Sequence, residues 1–125
     1  MGSAGEDEGL TSALRAVVEK NLAAFNREDI AATMQTIHTK SPEYTGMQQT
    51  LPNQFGALDA RTELADFRYI GHDDEFAVAR VKFKTVEQSG EPFTANILDT
   101  ITIFHQEDGA WKYWSNHVLG VQIAQ

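Results

Sequence analysis

The sequence predicts a single α+β domain in which three N-terminal helices pack against an antiparallel sheet of about four long strands and one short one. Two observations support this prediction. Apolar residues recur at helical spacing through the first half of the chain, and they alternate with a period of two from Arg61 onward. Three turn signals then divide the second half into strands, and helices followed by a strand meander are typical of the α+β class.

The first helix is predicted over residues 10–26, because six apolar residues there form one stripe along a helix surface. The nine residues before it are glycine, small or acidic, and we expect them to form a flexible acidic arm. The folded domain is therefore expected to span residues 10–125. The stripe consists of Leu10, Leu14, Val17, Val18, Leu22 and Phe25.

Two shorter helices are predicted before the sheet. Asp29 is a candidate N-cap for the second helix, and the Ser-Pro pair at positions 41–42 ends it, because the residue before a proline is pushed out of the helical region. Residues 43–45 are expected to form the short strand. A short or broken third helix follows over residues 47–58, interrupted at Pro52.

Turn residues place the four long strands at residues 62–72, 76–88, 91–106 and 110–123. The turns are expected at Asp73-Asp74, Ser89-Gly90 and Asp108-Gly109.

If each turn is a two-residue hairpin loop, the pairing arithmetic assigns every strand residue to one of two faces. We expect the helices to cover the face that combines Arg80 and Asp99 with many apolar side chains. The opposite face is also too apolar for water, so it predicts a homodimer formed sheet against sheet. The first face carries Phe67, Tyr69, Phe76, Val78, Arg80, Ile97, Asp99, Ile101, Ile103, Trp114, Asn116 and Val118. The second carries Ala77, Ala79, Val81, Phe83, Leu98, Thr100, Phe104, Tyr113, Ser115 and His117.

Composition excludes several function classes. The net charge of −8 argues against nucleic acid or an anionic membrane as a partner. The chain has no cysteine, and its four histidines do not follow a metal-binding pattern, so neither a metal nor another cofactor is expected. No apolar run is long enough to span a bilayer, and no secretory signal pattern precedes the first helix. These features predict a cytoplasmic protein.

The long first helix, the second helix begun by Asp29 and the C-terminal segment ILDTITIFHQEDGAWKYWSNHVLG carry a resemblance to a known superfamily. The sequence resembles the nuclear transport factor 2-like proteins, and within them the SnoaL-like and ketosteroid-isomerase-like proteins. The resemblance implies a curved sheet closed into a cone by three helices, with an apolar pocket inside. It also implies dimers that form through the outer sheet face.

The resemblance to ketosteroid isomerases extends to individual positions. Asp99 lies on a strand comparable to the one that carries the isomerases' protonated aspartic acid. Asn21 stands where their first helix carries a tyrosine, and Glu43 stands near the place of their catalytic base. Because two of these three parts are missing or replaced, isomerase activity is not expected. Asp99 is nevertheless the candidate catalytic residue for acid–base chemistry.

Two interpretations of Asp99 follow. It is either a pocket carboxylate, or the structural partner of Arg80 in a buried ion pair. The candidate ligand-binding residues are aromatic or polar groups on the helix-covered face and beside it. They are Tyr44, Tyr69, Arg80, Trp114 and Asn116.

The predicted function is to bind a small apolar or amphipathic molecule in the cone pocket. The alternative is a non-catalytic dimerisation or assembly domain. Phe104-His105 and the segment at 108–111 support this alternative, because they resemble the association domain of calcium/calmodulin-dependent kinase.

Overall fold

The computed structural model describes residues 4–57, 60–87 and 96–123. Within them, three helices precede a four-stranded antiparallel sheet of order β1-β2-β3-β4, which confirms the predicted α+β class. A search of these ranges finds no helix with the length and apolar character needed to cross a membrane. The elements are α1 (Ala4–Asn26), α2 (Ile30–Gln35), α3 (Tyr44–Ala57), β1 (Ala60–His72), β2 (Phe76–Glu87), β3 (Asn96–Glu107) and β4 (Ala110–Ile123).

The first helix begins earlier than the apolar stripe predicts. Helix α1 starts at Ala4, so residues 4–9 of the expected flexible arm are helical. The stripe itself has the predicted role, because Leu14, Val18 and Leu22 are buried against the sheet.

Helix α2 begins as predicted but ends early. The Asp29 side chain accepts a hydrogen bond from the backbone N–H of Ala32 at 3.0 Å, as an N-cap does. The helix stops at Gln35, because the next residues bond to β4 instead of continuing it. Tyr113 donates its N–H to the carbonyl of Thr36, and His38 donates its N–H to the carbonyl of Tyr113.

The short strand predicted at residues 43–45 is wrong. The extra bridge to the sheet lies earlier in the chain, between Ile37 and Tyr113, and α3 already begins at Tyr44. Pro52 also lies inside α3 without breaking it. An interior proline costs a helix about 3 kcal/mol, and burial of the neighbouring Leu51 offsets this cost.

Two of the three predicted turns lie in the part of the chain that is described. The turn at Asp108-Gly109 has positive φ at both residues, as a two-residue hairpin loop requires. The turn at Asp73 is wider than predicted, because the Asp73 carboxylate accepts the N–H groups of Glu75 and Phe76, each at 2.8 Å. The third predicted turn, Ser89-Gly90, lies outside the described residues.

Bulges change the predicted register of the sheet. Phe104 pairs with Tyr113 as the arithmetic predicts, but a bulge at Trp114 then shifts Ile103 to Ser115. Two further irregularities shift the pairing register between β1 and β2. They follow from the turn at Asp73, which is wider than the two-residue loop that the arithmetic assumes. The bulges exchange the faces on which some residues of β1 and β4 lie.

The prediction of which face the helices cover is wrong. We call the covered side the inner face: its residues Ala77, Ala79, Val81, Phe83, Thr100, Thr102 and Phe104 are all buried. The outer face carries Val78, Arg80, Lys82, Ile97, Asp99, Ile101 and Ile103, all of which are half-buried. Helix α1 packs on the inner face because the side chains of β2 on that face are apolar from Ala77 to Phe83, whereas the outer face of β2 becomes charged beyond Val78. Phe67 and Tyr69 contact the inner core, as predicted for a helix-covered face.

Candidate functional site

A pocket opens between the inner sheet face and the segment that connects α2 to α3. Its volume is about 80 Å³, which corresponds to room for roughly six water-sized spheres. The exposed residues Glu43 and Asn116 mark its mouth, and the buried residues Ile37, Ser41 and Phe83 lie deeper. The lining residues are Asn21, Ile37, Ser41, Glu43, Met47, Phe83, Tyr113, Trp114 and Asn116.

Hydrogen bonds to β4 fix one wall of the pocket. Besides the two backbone bonds between Tyr113 and the 36–38 segment, the Ser41 hydroxyl donates to the carbonyl of Trp114. The same hydroxyl accepts the N–H of Glu43 at 3.0 Å. Ser41 therefore ties the start of α3, and with it the Glu43 carboxylate, to the strand that forms the opposite wall.

Two amide side chains of the lining are held in place. The Asn21 Nδ2 donates to the Oγ1 of Thr36 at 2.8 Å. At the mouth, the Oδ1 of Asn116 accepts from the Oγ1 of Thr102 at 2.7 Å. These bonds orient both amides before any ligand arrives, which lowers the entropic cost of binding.

Tyr113 lines the pocket, and its polar atom is buried. Its ring stacks on Phe104, with ring centroids 5.4 Å apart and planes 26° from parallel. Its hydroxyl oxygen is shielded from solvent and has no hydrogen-bond partner among the residues that the structure describes. Burial raises the pKa of Tyr113, so the group remains a neutral phenol. A buried hydroxyl without a partner is unfavourable by about 1–3 kcal/mol.

Of the predicted site residues, only Trp114 and Asn116 line the pocket. Tyr44 packs with the small apolar cluster around Leu51. Tyr69 lies elsewhere on the inner face, where its hydroxyl is 2.6 Å from the Nδ1 of His72.

Arg80 and Asp99 lie on the outer face, away from the pocket lining. Arg80 donates through Nε to Oδ1 at 3.0 Å and through Nη2 to Oδ2 at 2.6 Å, so the predicted ion pair is present. The prediction that this pair is buried in the core is wrong, since 42% of the Arg80 side chain is exposed. The hydrogen bond from Arg80 lowers the pKa of Asp99 below its usual value, so the carboxylate is ionised at neutral pH.

Two histidines lie side by side next to the pocket wall. The rings of His38 and His105 are 4.7 Å apart, and each packs against Trp114. The Nδ1 of His38 accepts the N–H of Lys40 at 3.0 Å. The 4–57, 60–87 and 96–123 ranges hold no group of three residues suited to bind a metal ion.

The predicted ligand-binding set lacks seven of the nine lining residues, among them Asn21, Glu43 and Tyr113. Asn21 and Glu43 were identified only as the positions equivalent to a tyrosine and a base in ketosteroid isomerases, yet both line the pocket. The pairing arithmetic groups Tyr113 correctly with Phe104, but the prediction that the helices cover the other face places Tyr113 on the dimer face. The alternation along β2 was the signal that assigns Tyr113 correctly, since its partner Phe104 faces Ala77.

Comparisons with known proteins agree with this fold. The family model described as "Anti-sigma-I factor RsgI9, C-terminal domain" matches residues 16–123. No curated protein matches the sequence.

Solved structures of low sequence identity share the fold. A protein of unknown function from Mycobacterium tuberculosis has a TM-score of 0.80 at 12% identity, over 94% of this chain and 75% of that one. An NTF2-like protein of unknown function from Pseudomonas putida has a TM-score of 0.72 at 13% identity, over 89% and 86%. A ketosteroid isomerase-like protein from Erwinia carotovora atroseptica has a TM-score of 0.63 at 15% identity, over 88% and 96%. The resemblance to nuclear transport factor 2-like proteins is therefore confirmed at the level of the fold.

Proposed function

The chain belongs to the family of the anti-sigma-I factor RsgI9 C-terminal domain, and we propose that it binds a small amphipathic molecule in the pocket beneath its sheet. One observation carries the proposal: Tyr113 lines the pocket, and its buried hydroxyl has no hydrogen-bond partner among the residues that the structure describes. The protein's own side chains leave this position unsatisfied, and a ligand with a hydroxyl or carbonyl group would complete it.

The proposal is limited to binding, and Asp99, the candidate catalytic residue, has no part in it. The described lining holds one carboxylate and one phenol, those of Glu43 and Tyr113. Glu43 is the one carboxylate among the described lining residues, and Asp99 belongs to the ion pair on the other side of the sheet. The family also takes its name from an anti-sigma factor rather than from an enzyme.

Assembly is the second candidate function. The outer face carries Val78, Ile97, Ile101 and Ile103 around the Arg80–Asp99 pair, and no helix covers it in the described chain. A homodimer formed through this face would bury those side chains. The opposite face, which the sequence predicts as the dimer face, is covered by α1.

A thermal-shift screen against a library of metabolites and fragments tests the proposal. A ligand at about 100 times its dissociation constant adds about 2.7 kcal/mol to the free energy of unfolding, which a melting curve resolves. We expect the hits to lose most of their stabilisation in Tyr113→Phe, which removes only the hydroxyl. Without ligand, this variant should be as stable as the wild type or more so, by up to about 1 kcal/mol, because the unpartnered group is gone.

Asp99→Asn is the matched control, because it removes a polar interaction on the outer face. Hits that persist in Asp99→Asn and weaken in Tyr113→Phe support the pocket. The reverse pattern would move the binding site to the outer face. A screen without hits would contradict the ligand-binding proposal, and assembly would remain as the candidate function.

A further inference from the structure

The pocket lining has an uneven charge. Glu43 is the one charged side chain among the described lining residues, and it lies at the exposed mouth. No arginine, lysine or histidine lines the pocket in the part of the chain that is described. The whole chain also carries a net charge of −8. An anionic ligand would meet repulsion here without a compensating partner, whereas a cation would meet a carboxylate.

Aromatic rings form much of the remaining wall. Phe83, Tyr113 and Trp114 all line the pocket, and the face of an aromatic ring carries partial negative charge. A positively charged group within about 6 Å of such a ring is attracted to it, and tryptophan gives the strongest attraction. Aromatic rings combined with one carboxylate are typical of sites that bind organic ammonium groups, because such groups are apolar on their surface yet charged.

The polar groups lie in two places. The exposed residue Glu43 is at the mouth, and the Tyr113 hydroxyl is buried without a partner among the residues that the structure describes. A ligand that satisfies both would carry a cation at one end and a hydroxyl or carbonyl group at the other. The volume of about 80 Å³ limits the enclosed part to a few heavy atoms.

We infer that the ligand of this pocket is a small organic ammonium compound that also carries a hydrogen-bonding oxygen, with its cation near Glu43 and Trp114 and its oxygen at Tyr113. This inference rests on the proposed function, because it specifies the ligand class of the same pocket. It goes further by excluding acids of similar size.

Choline and its neutral carbon analogue 3,3-dimethylbutan-1-ol have nearly identical shapes and test the charge at the quaternary centre. The anion 3,3-dimethylbutanoate has a similar size but carries its charge at the oxygen end, and it tests the exclusion of acids. Titrations of the full chain are followed by ¹⁵N–¹H NMR, through the backbone amides of Ile37 and Ser41 and the indole signal of Trp114. We expect choline to bind about five-fold more tightly than the neutral alcohol, and the anion to bind most weakly.

Glu43→Gln removes the charge at nearly constant shape and should abolish most of the preference for choline while leaving the affinity for the alcohol unchanged. Glu75→Gln is the matched control, because it makes the same change in net charge at an exposed residue of the Asp73 turn. It should keep the preference for choline.

The outcomes distinguish this inference from the proposed function. If the alcohol binds as tightly as choline, or if Glu43→Gln keeps the preference, the ammonium inference is wrong and the pocket remains a binding site. If none of the three probes shifts the pocket signals, the inference is also wrong, and the thermal-shift screen with Tyr113→Phe decides the proposed function separately.

Discussion

The two faces of the sheet consist of alternate residues of the same strands, yet they tolerate polar groups in different ways. On the outer face, Arg80 and Asp99 form a two-point ion pair that remains partly in contact with solvent. On the inner face, the buried polar residues of β3 are threonines. One of them, Thr100, donates its hydroxyl to the carbonyl of Val81 at 2.8 Å.

An unpartnered polar group has a different cost on the two faces. Near solvent, a polar group can exchange its partner for water, so an unmet hydrogen bond costs little. Under the helices, a polar group needs a fixed partner, and within the described part of the chain the Tyr113 hydroxyl has none. On the outer face, a tyrosine hydroxyl without a protein partner could bond to water and would not indicate a binding site.

The largest effect is expected from truncation on the inner face. Phe104 is fully buried and stacks on Tyr113, so Phe104→Ala should lower the free energy of unfolding by about 3–5 kcal/mol. Its neighbour Ile103 points to the outer face and is only half-buried, so Ile103→Ala should cost about 1–2 kcal/mol. Urea unfolding of both variants measures the difference. Equal losses would contradict the assignment of the two faces.

The helices and strands could be predicted because each is specified locally. The apolar spacing along α1, the N-cap at Asp29 and the Asp108-Gly109 turn depend on residues close in sequence. The boundaries that were missed depend on distant contacts. Helix α2 ends early because β4 takes its next backbone groups, and α3 continues through Pro52 because Leu51 is buried.

The choice of the covered face could have been predicted, whereas the bulges could not. Along β2, the side chains at odd positions from Ala77 to Phe83 are apolar, whereas Arg80 and Lys82 alternate with them. This pattern marks the inner face without any pairing arithmetic. The isoleucines of β3 suggested the opposite assignment. The bulge at Trp114 has no local signal, and it decides which β4 residues reach the pocket.

A charge on the outer face tests the proposed homodimer. Ile101 pairs with Arg80 across the two strands, so Ile101→Glu would place a carboxylate beside an arginine and should be tolerated by the monomer. In a dimer formed through this face, the same carboxylates would be buried, and we expect the dimer to dissociate. Sedimentation velocity should then give the mass of one chain. Ala16→Glu, on the exposed side of α1, is the control and should remain dimeric. A monomeric wild type would itself contradict the dimer.

The smallest effect is expected from Asp99→Asn, and its pH dependence sharpens the contrast between the faces. Arg80 lowers the pKa of Asp99 in the folded protein, so the ionised carboxylate stabilises the fold. This stabilisation is complete above the pKa that Asp99 has in the unfolded chain, and it is lost as the pH falls through the pKa that Asp99 has in the folded protein. Wild type should therefore be more stable than Asp99→Asn at neutral pH, and the difference in unfolding free energy should close in acid. High salt should reduce it as well, since the pair is partly exposed. A difference that persists in acid and in salt would mean that the carboxylate acts through packing rather than through its charge, as an inner-face residue does.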